Sequence, residues 1–292
     1  MEFLEAVASY PFLQYAVLAG ILASISCGIV GTLVVVRRIS YIAGSIAHCV
    51  LGGMGVAIYL EKSRGWTFVD PLHGAIVAAL GSAMIIGWVS LYLKEREDTT
   101  IAALWAIGMA VGILFLSQTP GYQEDLMSYL FGNLLLVTRE KLWLLLGLDA
   151  FCVAVSLLFY HHLQAICFDE EFSRVRGSPV TLYYLLLLCM TAVTVVLLST
   201  VVGIVMVIAL LCIPVSIASI WFRRIWQIML VSACVTIAIT FLGLGLSYGP
   251  DLPSGATIII LLGTTYLLAA TAARTLSYLS HSRKEAEFIQ AD

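Results

Sequence analysis

Long runs with almost no charged side chain constrain the fold of this chain more than any other feature. A helix that crosses the hydrocarbon core of a bilayer needs roughly 20 consecutive apolar residues. Of the 292 residues, 61% are hydrophobic and only 11% are charged, which excludes a disordered chain, a coiled coil and an ordinary water-soluble enzyme. The runs are residues 12–36, 42–60, 73–93, 101–117, 142–160, 180–198, 201–222, 225–246 and 256–273. We predict an all-α polytopic membrane protein with eight or nine transmembrane helices.

One further apolar segment, residues 126–137, is too short to cross the membrane. Two acidic residues, Glu124 and Asp125, precede it, and acids stabilise the N-terminus of a helix. The segment is therefore predicted to be a re-entrant or interfacial helix.

The distribution of lysine and arginine predicts the orientation, because these residues accumulate in cytoplasmic loops. If the N-terminus lies outside and residues 126–137 do not cross, eleven basic residues face the cytoplasm and four face outward. The eleven are Arg37, Arg38, Lys94, Arg96, Arg174, Arg176, Arg223, Arg224, Arg274, Arg283 and Lys284. The bias favours nine crossings within one transmembrane domain, residues 1–292, embedded over 12–273 and followed by a cytoplasmic tail, 274–292.

Ionisable groups are sparse inside the predicted spans. They are Asp149, His48 and His73, and His73 stands at the end of a span. A proton-driven pump normally needs a relay of such groups at depth. The chain also has no G-x-x-x-x-G-K-[ST] phosphate-binding loop, so if ATP drives it, a separate subunit must bind the nucleotide.

His48 is the first candidate functional residue. A basic pair, Arg37 and Arg38, opens its segment at the predicted inner interface, and the following helix carries His48 towards the middle of the membrane. A neutral imidazole is a common ligand of transition metals and is costly to bury without a partner. Two interpretations stay open: a metal contact, or a histidine hydrogen-bonded to a neighbouring helix.

A second candidate lies in the longest predicted inner loop. Residues 169–177 read DEEFSRVRG, with acids first, arginines later, a terminal glycine and then Pro179, a pattern typical of a short self-capped helix. Phe172 and Val175 are three residues apart and share one face. The segment is either a docking element for a partner or a solvated turn.

Together these segments resemble the permease subunit of bacterial ABC importers for zinc, manganese or iron. Five stretches carry the resemblance in order and nearly from end to end. They are residues 37–49 (RRISYIAGSIAHC), 125–137 (DLMSYLFGNLLLV), 169–177, the run from Val202-Gly203 to residues 213–218 (IPVSIA), and 253–256 (PSGA).

The resemblance implies a multi-pass protein of the bacterial inner membrane that works as a homodimer or a heterodimer. It also implies a cytoplasmic ABC ATPase and a periplasmic or lipid-anchored metal-binding protein, with ATP on the partner and no cofactor or catalytic residue in this chain. His48 corresponds to a transient ligand on the metal path. The helix that fits the ATPase corresponds to Asp169, Glu170, Glu171, Phe172, Val175 and Gly177.

One departure concerns the acid that the resemblance places four residues before the histidine, where this chain has Gly44. An acid and a histidine at that spacing share a helix face and can clamp one cation. We hypothesise that Asp149 or the Cys49 thiol substitutes for it. Asp149 as a polar group that holds helices together is the competing interpretation.

Zinc is the predicted metal, because a histidine with a nearby cysteine is a softer donor set than a carboxylate-rich manganese site. Manganese and iron remain alternatives. The competing functions are a stand-alone secondary transporter or channel, an intramembrane enzyme, and a regulatory or assembly protein. The enzyme is disfavoured because no paired catalytic spacing such as H-E-x-x-H is present.

Overall fold

The computed structural model describes residues 2–66, 68–93, 97–119, 130, 132, 134–250 and 252–291, and within these ranges it is helical without strands. The helices are α1 (Glu2–Ser9), α2 (Pro11–Val36), α3 (Ser40–Arg64), α4 (Pro71–Trp88, continued as a π-helix over Val89–Leu93), α5 (Glu97–Ser117), α6 (Arg139–Leu158), α7 (Tyr160–Phe168), α8 (Glu170–Val175), α9 (Val180–Val202), α10 (Ile204–Trp221), α11 (Ile225–Tyr248) and α12 (Ser254–Ala291).

Among the described residues, nine helices are long and apolar enough to cross a membrane. They are α2 to α6, α9 to α11 and the first part of α12, Ser254–Thr275. Each contains one of the predicted apolar runs within a few residues, so the all-α polytopic fold is confirmed.

The middle of the bundle is formed by α2, α3 and α9. α2 packs on α6, α9, α10 and α11, and α9 joins α2 to α4. Several buried hydroxyl groups in α2 and α9 donate to carbonyls one turn earlier, as Thr32 does to Gly28 at 2.6 Å and Thr191 to Leu187 at 2.8 Å. Such bonds satisfy polar groups inside their own helix, which the bilayer requires because it offers no water.

α3 and α5 approach each other through small residues. A Cβ built on Gly52 would lie 2.7 Å from the Gly108 carbonyl oxygen, and a Cβ on Gly55 would lie 2.7 Å from the Gly112 carbonyl oxygen. Close backbone approach through small side chains is a common way for helices to associate in lipid. This contact places the side chains of α5 directly over the middle of α3.

Contacts between helix ends show which ends share a side of the bundle. Arg37 follows α2, donates to the Ile166 carbonyl of α7 and lies 4.5 Å from the centre of the Tyr184 ring, near the start of α9. Lys141, at the start of α6, donates to the Thr200 carbonyl near the other end of α9 at 2.8 Å. The start of α6 therefore lies on the side opposite Arg37.

α3 and α5 run parallel, since Ser45 donates to the Ile101 carbonyl at 3.0 Å and Cys49 to the Leu104 carbonyl at 3.4 Å. α3 starts beside Arg37, so α5 ends on the opposite side, where α6 begins. The connection 118–138 starts and ends on one side, as predicted for a segment that does not cross.

The structure agrees only in part with the short helix predicted over residues 126–137. Residues 126–129, 131 and 133 lie outside the described residues. The prediction extended the helix to Val137, whereas the structure has a 3-10 turn over Leu134–Leu136 and leaves Val137 outside it. Gly132, with φ 65°, is in the left-handed region, which a right-handed helix cannot pass through.

One helix, α7, was not predicted. The apolar run 142–160 ends in the structure at Leu158, where Phe159 leaves helical geometry with φ −112° and ψ 17°. The chain then resumes as α7 and leads directly into Asp169 and α8.

Candidate metal path and coupling helix

His48 lies two turns into α3 and is only 7% exposed. Its imidazole stacks on the indole of Trp105 from α5, with 4.6 Å between the ring centres and 26° between the planes. The Nδ1 atom has no hydrogen-bond partner among the described residues. The alternative of a hydrogen bond from this atom to a neighbouring helix therefore finds no support, and the nitrogen keeps its capacity to bind a ligand.

Trp105 also explains why glycine stands one turn before His48. A Cβ at Gly44 would lie 2.8 Å from Cζ3 of the indole, so a larger residue at this position would require the indole to move. The indole therefore fills the space beside residue 44 in which the resemblance leads us to expect an acid. On this face of α3, an aromatic ring and an imidazole replace an acid–histidine clamp.

The Cys49 thiol lines a cavity to which neither His48 nor Trp105 contributes. It donates to the Leu104 carbonyl, and the cavity is an apolar space of about 690 Å³ between α3, α4 and α5 that His73 and Ser82 also line. Cys49 and His48, although adjacent in sequence, therefore face different surroundings.

Asp149 on α6 is 5% exposed, and neither carboxylate oxygen has a hydrogen bond of good distance and angle among the described residues, although Ser26 of α2 lies close enough to stabilise the carboxylate. Ser26 and Cys27 of α2 and Cys152 of α6 lie nearby. The Cys152 thiol lies 3.6 Å from the Thr194 hydroxyl oxygen of α9. A buried carboxylate without a well-formed hydrogen bond is costly in a membrane protein, and such groups are functional candidates by default.

The structure does not bring Asp149 and His48 together, since Asp149 faces α2 whereas His48 faces α5. In the described part of the chain, no three His, Cys, Asp or Glu side chains are grouped so that they could hold a metal ion. The substitution of Asp149 or Cys49 for the missing acid stays a prediction. The described residues of one chain therefore provide a single imidazole at His48 and no closed metal site.

The predicted self-capped helix is present as α8. The Asp169 carboxylate accepts from the Phe172 backbone N–H at 2.8 Å, and Glu170 and Glu171 occupy the first turn. Gly177 ends the segment with φ 77°. This local structure is confirmed, because the capping residues sit where the helix termini need them.

α8 presents apolar side chains outward. Phe172 is 53% exposed and Val175 is 87% exposed, and the Arg176 guanidinium lies 4.7 Å from the centre of the Phe172 ring. The two exposed apolar side chains on a capped helix outside the spans are compatible with a docking element and with a solvated turn, so the docking role stays a prediction.

Two side chains that matter here were missed by the sequence analysis. Trp105 lies inside an apolar run, where a tryptophan looks like any other membrane residue, and nothing in the sequence links it to His48. Arg37 was read only as an interfacial anchor, yet it forms an ion pair with Glu170, 133 positions away, at 2.6 Å.

This architecture defines a multi-pass helical membrane protein whose described part carries no soluble domain. Residues 9–273 match the model of the ABC 3 transport family, and the chain belongs to this family. The resemblance to ABC importer permeases is thereby confirmed.

Individual relatives and a solved structure agree with this assignment. The "probable metal transport system membrane protein" of Chlamydia trachomatis is 41% identical over 259 residues, covering 89% of this chain and 88% of the relative. The "manganese transport system membrane protein MntC" of Halalkalibacterium halodurans is 34% identical, covering 91% and 89%. The structure of PsaBC from Streptococcus pneumoniae in complex with Fab superposes with a TM-score of 0.80 at 26% identity, covering 92% of this chain and 94% of the other.

Proposed function

We propose that this chain is the membrane permease of an ABC importer that moves a divalent transition metal into the cytoplasm. ATP is hydrolysed on a separate cytoplasmic subunit, and an external binding protein delivers the metal. The observation that carries the proposal is His48, a buried imidazole on a transmembrane helix whose Nδ1 has no hydrogen-bond partner in the part of the chain that the structure describes. The family and the names of the metal-transporting relatives support it.

A single imidazole suits a metal in transit. A site on a conduction path must bind well enough to admit the ion and weakly enough to release it. A closed tetrahedral zinc site with four protein ligands would hold the ion instead. A second permease copy, identical or related, would bring further ligands to the path, which accounts for the absence of a three-residue group within the described part of one chain.

Zinc and manganese are the two candidate cargoes. The imidazole of His48 is a donor that suits zinc, but Cys49 faces a different cavity and adds no thiol to it, so the donor set favours zinc less than the sequence alone suggests. A relative named as a manganese transport protein favours manganese. Competition between the two metals for uptake by the purified complex decides between them.

α8 is proposed to dock on the ATPase through Phe172 and Val175. We expect Val175→Asp to prevent co-purification of the ATPase and to abolish ATP-dependent uptake, because a charge replaces an exposed apolar contact at the centre of a docking surface. Phe68, which is 75% exposed in the connection at the far end of α3, provides the matched control. Phe68→Asp should leave the ATPase bound. Normal recovery of the ATPase with Val175→Asp would contradict the proposal.

Asp149 is proposed as a second cation-handling group on the path. We expect Asp149→Asn to lower metal uptake several-fold at equal membrane abundance, because the amide keeps the shape of the side chain but loses its charge. Asp149→Leu should leave the melting temperature unchanged or raise it, since it removes the desolvation cost of a buried carboxylate that has no well-formed hydrogen bond among the described residues. Unchanged uptake by Asp149→Asn would show that the carboxylate has no role in transport.

A further inference from the structure

Arg37 joins three elements at one side of the bundle. Its side chain is 12% exposed, and one guanidinium nitrogen, Nη2, binds Glu170 Oε2 at 2.6 Å. The other, Nη1, donates to the Ile166 carbonyl in the last turns of α7. The guanidinium plane also lies 4.5 Å from the centre of the Tyr184 ring, which is 2% exposed. One largely buried side chain therefore connects the end of α2 to α7, α8 and α9.

The ion pair with Glu170 is the link that reaches α8. Glu170 is the first residue of α8 and divides its carboxylate between two arginines, with Oε2 on Arg37 and Oε1 on Arg174 at 2.9 Å. The Arg174 side chain is 64% exposed, so its pair with Glu170 is a weak surface pair. The Arg37 side chain is only 12% exposed, so its pair with Glu170 is less accessible to water than the Arg174 pair, and its short charge-assisted hydrogen bond makes it the stronger of the two.

On its other side, Arg37 belongs to the turn that starts the helix of His48. The Ile39 N–H bonds the Val34 carbonyl and the Arg38 N–H bonds the Val35 carbonyl, both at 3.0 Å, in the pattern of a Schellman cap. Arg38 occupies the left-handed region with φ 64°. α3 begins at Ser40, so only three residues separate α2 from the helix that carries His48. Because the turn has only three residues and is fixed by two backbone hydrogen bonds, a displacement of Arg37 would move the start of α3 as well.

We propose that Arg37 is a positioning residue that transmits the movement of α8 to α3 through its ion pair with Glu170. The inference rests on the proposed function, because it assumes that α8 receives the movement of an ATPase. Coupling between distant sites is carried by packed and bonded contacts of this kind, and a chain of contacts counts as a pathway only when its disruption uncouples the two ends.

The test compares two variants with a matched control in the full complex of permease, ATPase and binding protein, reconstituted in vesicles. Glu170→Gln and Arg37→Gln remove the shielded charge pair, whereas Arg174→Gln removes only the exposed arm of the same glutamate. Hydrolysed ATP and internalised Mn²⁺ or Zn²⁺ are measured in the same vesicles. We expect Arg37→Gln, which lies outside the helix proposed to dock, to assemble and hydrolyse ATP, and we expect the metal moved per ATP hydrolysed to fall about fivefold or more in both pair variants, within the usual range of coupling between sites.

Arg174→Gln should change that ratio by about twofold or less, as expected for an exposed pair. A native ratio in Glu170→Gln, an equal loss in Arg174→Gln, or loss of ATPase binding in Glu170→Gln would each overturn the inference. If Arg37→Gln does not fold, Glu170→Gln still decides, because it leaves Arg37 and its contacts with Ile166 and Tyr184 in place. Native vesicles that import metal without hydrolysis would overturn the proposed function as well, whereas normal coupling in Glu170→Gln alone overturns only this relay.

Discussion

His48→Ala is expected to lower the initial rate of metal uptake by about tenfold or more, without loss of the protein from the membrane. In many metal sites, removing a residue that hydrogen-bonds a metal ligand lowers metal affinity or activity by about 10–100-fold. His48→Ala removes the proposed ligand itself. The imidazole Nδ1 has no bond within the described residues that the substitution would break. The measurement is time-resolved uptake of Zn²⁺ and Mn²⁺ in vesicles with matched amounts of complex.

His73→Ala is the matched control for this substitution, since His73 is an exposed histidine in the first turn of α4. It should keep native uptake. Native uptake by His48→Ala at equal abundance would remove His48 from the path, and with it the residue on which the proposed function depends.

Gly132→Ala is expected to cause the largest loss of folded protein among single-methyl changes. The residue has φ 65°, where a side chain costs roughly 1–2 kcal/mol. A Cβ would also collide with the backbone of Val202 and Gly203, at the junction of α9 and α10. Overpacking of this kind costs about 1–3 kcal/mol more. The measurement is the yield of monodisperse protein after extraction, together with its melting temperature.

Gly65→Ala separates the two causes. Gly65 has φ 69°, nearly the same conformation, but a Cβ there meets no atom within 4 Å. Gly65→Ala should carry only the conformational cost, so its loss of folded protein and of melting temperature should be clearly smaller than that of Gly132→Ala. Equal losses in the two variants would mean that Gly132 does not pack against the Val202–Gly203 junction.

The spans were predictable because each depends on local composition, and the bilayer accepts little besides apolar helices. α8 was predictable for a similar reason, since Asp169 and Gly177 act on their own termini. The stack of Trp105 on His48 depends on the approach of α5 to α3 through glycines, which no local pattern reveals. The same holds for the pair of Arg37 with Glu170, and for the contact of Gly132 with Gly203, which joins two of the recognised motifs across 71 positions.

Gly44 shows how the sequence and the structure complement each other. The resemblance to the permease family points to a missing acid four residues before His48, and the sequence offers Asp149 or Cys49 as its replacement. The structure shows the Trp105 indole over Gly44 and places Asp149 against another helix. The question thereby changes from which acid replaces the missing one to how a metal reaches an imidazole covered by an indole.

The central claim is that this chain is a metal gate operated by ATP hydrolysis on another subunit. The most direct measurement is metal uptake into vesicles that hold the purified complex, with ATP, with a non-hydrolysable analogue, and with an ATPase subunit inactivated at its nucleotide site. The account predicts sustained uptake of Zn²⁺ or Mn²⁺ only with ATP and the active ATPase. Uptake at the full rate without nucleotide hydrolysis would contradict it and would indicate a secondary transporter or channel.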